Sequence, residues 1–172
     1  QAHACGLRVT MDIIVNHTAN VIEYPGRKTA YRPRATAPYR DEHGKIFNER
    51  KVAYNGLGDP AAFPALSAAR SFPYVPTVPR TERTVKNPAW LNDVTLYHNR
   101  GDSTWAGESA VLGDFATLDD TFTEHPRVVQ GMIEIFTTWL RTTGVDAFRI
   151  DTAKHVNAEF WQAFAPAIRA EA

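Results

Sequence analysis

The residues best suited to chemistry stand together between Gly144 and His155, in the run G-V-D-A-F-R-I-D-T-A-K-H. The run reads as a buried strand that ends by presenting charged groups. Val145, Phe148 and Ile150 supply β-branched and aromatic bulk, and polar residues crowd the C-terminal end. Alternation along a strand places Arg149 and Asp151 on one face. A carboxylate beside a guanidinium, with Lys154 and His155 just beyond, suits an active site. It also suits a buried salt bridge, because ion-pair networks place charges in the same way. A second group, Asp12, Asn16 and His17, accompanies the apolar run L-R-V-T-M-D-I-I-V over residues 7–15. A carboxylate inside such a run is costly to bury without a cation, and Arg149 is the best candidate partner for Asp12. Asp12 and Asn16 share a face by parity, and Asn16 and His17 also fit plain loop-entry hydrogen bonding.

These residues need elements to hold them. Residues 7–15 have the pattern of a parallel strand covered on both faces. Residues 126–143 form the clearest helix: Pro126 fits its first position, Val129, Met132, Ile133, Phe136 and Leu140 recur at spacings of three and four, and Gly144 ends it. A helical pattern resumes from Ala158 to Ala170, with Asn157 as its cap and a kink expected at Pro166. Strand, long insertion, helix, strand, helix is the order of an α/β fold with a parallel sheet, whose active sites lie at the C-terminal strand edge.

Residues 18–125 differ, with scattered prolines, recurrent glycines and no sustained helical period. Unstructured connections beyond about 12–15 residues are uncommon in compact domains, so this stretch reads as a subdomain of short strands and irregular loops. Its basic portion, Arg27, Lys28, Arg32, Arg34 and Arg40, is interrupted by prolines and accompanied by Asp41, Glu42 and Glu49, which favours a solvated surface over a nucleic-acid patch. Trp90, Tyr97 and Trp105 suit either stacking on sugar rings or the core of this region.

The 172-residue chain is 44% hydrophobic, 22% charged and formally neutral, which excludes a disordered chain and gives no sign of a nucleic-acid partner. Cys5 is the one cysteine, so neither an internal disulfide nor a multi-cysteine zinc site can form. No apolar run reaches the length of a membrane span, and no membrane partner is expected. No G-x-G-x-x-G follows either strand, against a Rossmann-type nucleotide enzyme. The absence of an initiator Met suggests a piece of a longer chain.

Two of these segments carry a specific match. D-I-I-V-N-H, from Asp12 to His17, resembles the first signature of the alpha-amylase family of glycoside hydrolases, and G-V-D-A-F-R-I-D-T-A-K-H resembles the second. L-D-D-T-F-T-E-H-P, from Leu118 to Pro126, is similar to an additional signature, but lacks the proline before Asp120. The resemblance implies part of a (β/α)8 TIM barrel, from strand 3 to helix 4, with an irregular domain B inserted after strand 3. Residues 1–17 are then a barrel segment, 18–117 the inserted region, and 118–172 a second barrel segment. It also implies a starch or maltooligosaccharide substrate, Asp151 as nucleophile, and Arg149 holding that carboxylate charged and oriented. His17, Lys154 and His155 would contact sugar, the last two on the leaving side, with Asp12 in support. A structural calcium is implied at Asn16, Asp120 and the backbone carbonyl of His155, with Asp119 as a substitute for Asp120. The acid/base glutamate and second aspartate of the family match no residue here. The resemblance leaves open a transglycosylase, isomerase or phosphorylase of the same family, or a non-catalytic amylase-like binding protein. A polymeric substrate suggests secretion, although Gln1–Gly6 has no signal-like pattern. Two barrel strands with unpaired edges lead to an expectation of self-association.

Overall fold

A computed structural model describes residues 1–27 and 29–172. Lys28 and the side chain of Arg27, two members of the basic portion, lie outside the described residues. Strand β1 (Thr10–Ile14) is followed by the two-residue β2 (His17–Thr18), which pairs antiparallel with β3 (Asp119–Asp120). Helix α1 (Glu49–Val52) and α2 (Ser109–Leu112) are single turns within the intervening segment. Helix α3 (Pro126–Thr143), strand β4 (Ala147–Asp151) and helix α4 (Ala158–Glu171) complete the chain.

α3 forms where its pattern places it. Pro126 sits in its first turn, and His125 caps it by accepting the Arg127 N–H on Nδ1 at 3.0 Å. Burial lowers the pKa of His125 to about 4, so the ring stays a neutral acceptor at neutral pH. Val129, Met132, Phe136 and Leu140 are buried on one stripe. Gly144 then takes a left-handed conformation (φ +64°) and returns its N–H to the Leu140 carbonyl at 2.9 Å, which turns the chain into β4.

β4 pairs with β1 in parallel register, Asp12 opposite Arg149 and Ile14 opposite Asp151. Asp146, just before β4, pins that register by accepting the Val9 N–H at 2.6 Å and bonding the His3 ring at 2.9 Å. α3 and α4 pack on the same side of this pair. Phe136 meets Phe148 at 5.6 Å and Phe164 at 5.9 Å, and Arg141 ties to Glu171 with Nε to Oε1 at 2.6 Å. α4 runs on through Pro166 to Glu171, and Asn157 precedes it without capping by its side chain, which donates instead to Glu159 at 2.8 Å.

Two expectations are corrected. Within these 172 residues the apolar run is covered on one face only: Ile13 is buried and Met11 half-buried, whereas Thr10, Asp12 and Ile14 are exposed. The helices cover only one face of the two-strand sheet, and the other presents Asp12 and Arg149 to solvent. Parity also fails beyond Ile14, where β1 ends; Val15 and Asn16 are both buried, so Asn16 does not share the face of Asp12.

The middle segment contains almost no strand. Among the described residues it is built from isolated bridges, 3-10 turns and the short α1 and α2. Aromatic packing supplies the cohesion that ladders do not. Tyr39 lies 4.9 Å from Phe122 and 6.0 Å from Phe47, and Phe63 stands edge-on to Phe122 at 5.5 Å. Phe122, Ile13, Val15 and Phe160 belong to one hydrophobic cluster, so the segment and the strand–helix portion share a core.

Candidate active site

At the C-terminal end of β4, Asp151 lines an open cavity of about 570 Å³ with Trp105, Phe115, Thr152, Ala153, Lys154 and His155. Asp151 is the one carboxylate among these lining residues. Its Oδ1 accepts the N–H of Thr152 at 2.9 Å and lies 3.5 Å from the Arg149 guanidinium. Thr152 is held at φ +55°, a left-handed conformation rare for a β-branched residue, and this turn brings its N–H back onto the carboxylate. The Oδ2 atom has no protein partner among the described residues.

Arg149 bridges two carboxylates. One guanidinium nitrogen reaches both oxygens of Asp12, at 3.0 and 2.8 Å, and the other faces Asp151. The cross-strand pair read from the sequence therefore forms, but not as a buried bridge: the two side chains are 60% and 62% exposed. At that exposure the pair contributes roughly 0–1 kcal/mol to the stability of this chain.

His17 is half-buried and stacks on Phe115, with ring centroids 4.8 Å apart and planes 14° off parallel. Its Nδ1 meets the Asn16 amide at 3.3 Å. Burial lowers its pKa more than the Asp151 charge raises it, so the ring is neutral at neutral pH. Nδ1 of His155 bonds the Ala110 carbonyl at 2.6 Å; a carbonyl only accepts, so that nitrogen carries a proton and Nε2 is left as an acceptor when the ring is neutral. Lys154 is exposed beside it. Asp151, Arg149, Asp12, His17, Lys154 and His155 are thus gathered at one strand end.

Asn16 and Asp120 lie elsewhere, in a buried nest of charge. The Asn16 amide donates to Asp120 Oδ1 at 3.0 Å, and Asp120 Oδ2 lies 2.6 Å from His98, whose other ring nitrogen is 2.9 Å from Glu124. Although burial alone would lower the His98 pKa, the Glu124 and Asp120 carboxylates raise it to about 10, so the ring is a buried cation. Burial raises Asp114 to about 6, with the charges of Asp119 and Asp102 adding to it. Asp119 does not stand in for Asp120: its oxygens accept from the Val21 and Ile22 N–H groups and from the Lys86 ammonium.

A cation at Asn16 and Asp120 fits this charge balance. Four buried carboxylates, Asp114, Asp119, Asp120 and Glu124, face two cationic side chains, Lys86 and His98. Among the described residues no three His, Cys, Asp or Glu side chains are grouped to hold a metal; Asn16 and Asp120 would offer side-chain oxygens to a cation, whose shell backbone carbonyls would have to complete. Turning the Asn16 amide by 180° presents its oxygen in place of its nitrogen.

Sequence reasoning missed Thr152, Phe115, His98, Lys86, Asp114 and Glu124. Apart from Thr152, whose N–H meets the adjacent Asp151, their roles come from tertiary pairing, such as His98 with Glu124 across 26 positions, which leaves no local signal. Trp90 and Tyr97 resolve as core rather than surface: Tyr97 is 2% exposed and its hydroxyl donates to the Leu91 carbonyl at 2.6 Å.

A family model described as the alpha-amylase catalytic domain matches residues 1–166. The chain is 46% identical over all 172 residues to an alpha-amylase of Streptomyces lividans, of which it spans 18%. It is 25% identical to the periplasmic alpha-amylase of Escherichia coli, over 94% of this chain and 25% of that protein. An Anoxybacillus alpha-amylase structure superposes with a TM-score of 0.54 at 20% identity, covering 98% of this chain and 24% of the other.

Proposed function

Because the chain belongs to the alpha-amylase family of glycoside hydrolases, as a portion of its (β/α)8 catalytic barrel, we propose that it carries the nucleophile of a retaining α-glucan hydrolase acting on starch or maltooligosaccharides. The observation that carries this reading is the Asp151 carboxylate, with Oδ1 engaged by Thr152 and facing Arg149, and Oδ2 left open at the wall of the cavity. Oδ2 attacks the anomeric carbon while the glycosidic oxygen leaves with a proton from a general acid. Water then cleaves the covalent glycosyl ester, and the same acid, now a base, takes the water's proton. Retention requires two carboxyl groups about 5–5.5 Å apart. Asp151 is the one carboxylate among the described residues that line the cavity, and in this reading the acid/base group is supplied by a later part of the barrel.

Arg149, steadied by Asp12, orients the nucleophile, and its positive charge favours the ionised carboxylate. His17, neutral and stacked on Phe115, hydrogen-bonds the sugar being cleaved, and Lys154 and His155 hold the sugar on the leaving side. In this reading β1 is barrel strand 3, residues 18–117 are the inserted domain B, and α3, β4 and α4 are helix 3, strand 4 and helix 4. Calcium held by Asn16, Asp120 and the His155 carbonyl would supply positive charge to the buried nest and join the inserted segment to the barrel. The unpaired outer edges of β1 and β4, with Ile14 and Leu7 exposed beside them, favour self-association of the chain in isolation.

The test is hydrolysis of starch and a chromogenic maltooligosaccharide by the 172-residue chain and by a protein in which the rest of a family barrel accompanies it. The second is expected to turn over and the first is not. Robust hydrolysis by the isolated chain would overturn the assignment of the acid/base group.

A further inference from the structure

The stacked rings of His17 and Phe115 are carried by two chain segments that meet over only two ladder residues. β2 holds His17, and β3 follows the turn on which Phe115 and Leu118 exchange backbone hydrogen bonds at 3.1 and 3.0 Å. His17 pairs with Asp120, and Thr18 with Asp119. A two-stranded ladder of this length is marginal by itself, so something else must hold its register.

The Thr18–Asp119 pair is bridged by a side chain that belongs to neither strand. Lys86 Nζ donates to Thr18 Oγ1 at 2.7 Å and to Asp119 Oδ2 at 2.5 Å. A third bond reaches the Tyr97 hydroxyl oxygen at 3.2 Å, which accepts because its own proton goes to the Leu91 carbonyl. Each of the three ammonium donors thus has an oxygen partner, and the Lys86 side chain is 8% exposed. Its root is fixed as well: the Asn92 side chain accepts the Lys86 N–H at 3.0 Å and donates to the Lys86 carbonyl at 2.7 Å. Asp119 also takes the Val21 and Ile22 N–H groups, so the chain leaving β2 is tied to the same carboxylate.

We infer that Lys86 is a positioning residue for the sugar site: its ammonium clamps β2 to β3 and so holds the His17 ring in place against Phe115. An ammonium in a shell of three oxygens, one of them a carboxylate, does the work of a bound monovalent cation without drawing an ion from solution. Lys86 is not among the residues that line the cavity. It acts through Thr18, the neighbour of His17 in β2, and through Asp119, which follows the Phe115–Leu118 turn. This inference rests on the reading of His17 as a sugar contact and adds to it the residue that keeps that contact in register.

The test is a double-mutant cycle read by calorimetric titration with maltotriose, in the barrel-completed protein with Asp151→Asn to remove turnover. Lys86→Met is expected to weaken binding about tenfold when His17 is present and less than about twofold in His17→Ala, because a misplaced ring and a missing ring lose the same contact. Thr18→Val keeps the Lys86–Asp119 pair and should weaken binding about threefold, again only with His17 present, at an unchanged melting temperature. Equal losses with and without His17, or binding by Lys86→Met within about twofold of the parent, would overturn the positioning role and leave Lys86 to the fold alone. So would failure of the parent to bind the sugar. Should Lys86→Met fail to fold, Thr18→Val decides by the same criterion. If His17→Ala binds as the parent does, the positioning role and the reading of His17 fall together. If the cycle couples as expected but the protein with Asp151 intact hydrolyses nothing, the positioning role stands and the hydrolytic reading falls.

Discussion

The protein holds two clusters of charge that use the same side-chain types in opposite surroundings. At the strand end, Asp12, Arg149 and Asp151 lie in the open, with side chains 46–62% exposed. Beneath the middle segment, Asp120, Glu124 and His98 are at most 2% exposed, and Lys86 and Asp119 are nearly as deep. The open cluster keeps one carboxylate oxygen free and spends few contacts on stability. The buried cluster ties its carboxylates to His98, Lys86, Asn16 and backbone N–H groups. Availability, rather than residue type, separates the site from the scaffold.

Removing the free carboxylate should give the largest effect. In the barrel-completed protein, Asp151→Asn is expected to cut turnover by at least about a thousandfold, roughly 4 kcal/mol in the barrier, while maltooligosaccharide binding and melting stay near those of the parent. Retention of half the activity would reject the assignment. In the buried cluster the consequence moves from rate to stability. His98→Leu leaves Asp120 and Glu124 without their shared cation and should cost about 3–5 kcal/mol in denaturant unfolding. A loss below about 1 kcal/mol would show that this nest does not depend on His98.

Chelation probes the same nest more gently. If calcium joins Asn16 and Asp120, calorimetry detects its binding, and chelator lowers the melting temperature by about 2–4 °C for each kcal/mol of lost binding energy. No calcium heat and an unchanged melt would remove the metal from the account. The smallest effect is expected back in the open cluster. In the 172-residue chain, where the pair is exposed by more than half, Asp12→Asn should change stability by no more than about 1 kcal/mol. Its effect should appear instead, in the barrel-completed protein, as a lower kcat at little-changed KM, because Arg149 loses its orienting partner. A stability loss as large as that of His98→Leu would erase the contrast between the two regions.

The two regions also differed in how far they could be read from the amino acids. Gly144 to His155 was legible because its determinants are local: a glycine stop, an alternating strand, and charged groups two positions apart. Even the cross-strand partner of Arg149 could be chosen, since a carboxylate in an apolar run has few cations to meet. Burial was not legible. The run from Leu7 to Val15 has the composition of a strand covered twice, but only the register with β4 and the one-sided packing of α3 and α4 show which face is closed. The parity that placed Asn16 beside Asp12 failed because β1 stops at Ile14, and nothing in D-I-I-V-N-H marks that stop. The middle segment was the least legible. Its aromatics pack through contacts far apart in sequence, so Trp90 and Trp105 look alike in composition, yet one is pressed against Gly131 and the other stands in the cavity.

The claim on which the account turns is that Asp151 Oδ2 forms the covalent bond to sugar. The most direct test incubates the barrel-completed protein with a fluorinated α-glucosyl fluoride, which slows breakdown of the glycosyl ester, and maps the modified residue by peptide mass spectrometry. A single glycosyl adduct on the peptide containing Asp151, absent in Asp151→Asn, is the predicted result. An adduct on another carboxylate, or full turnover by a protein whose Asp151 stays unmodified, would contradict it.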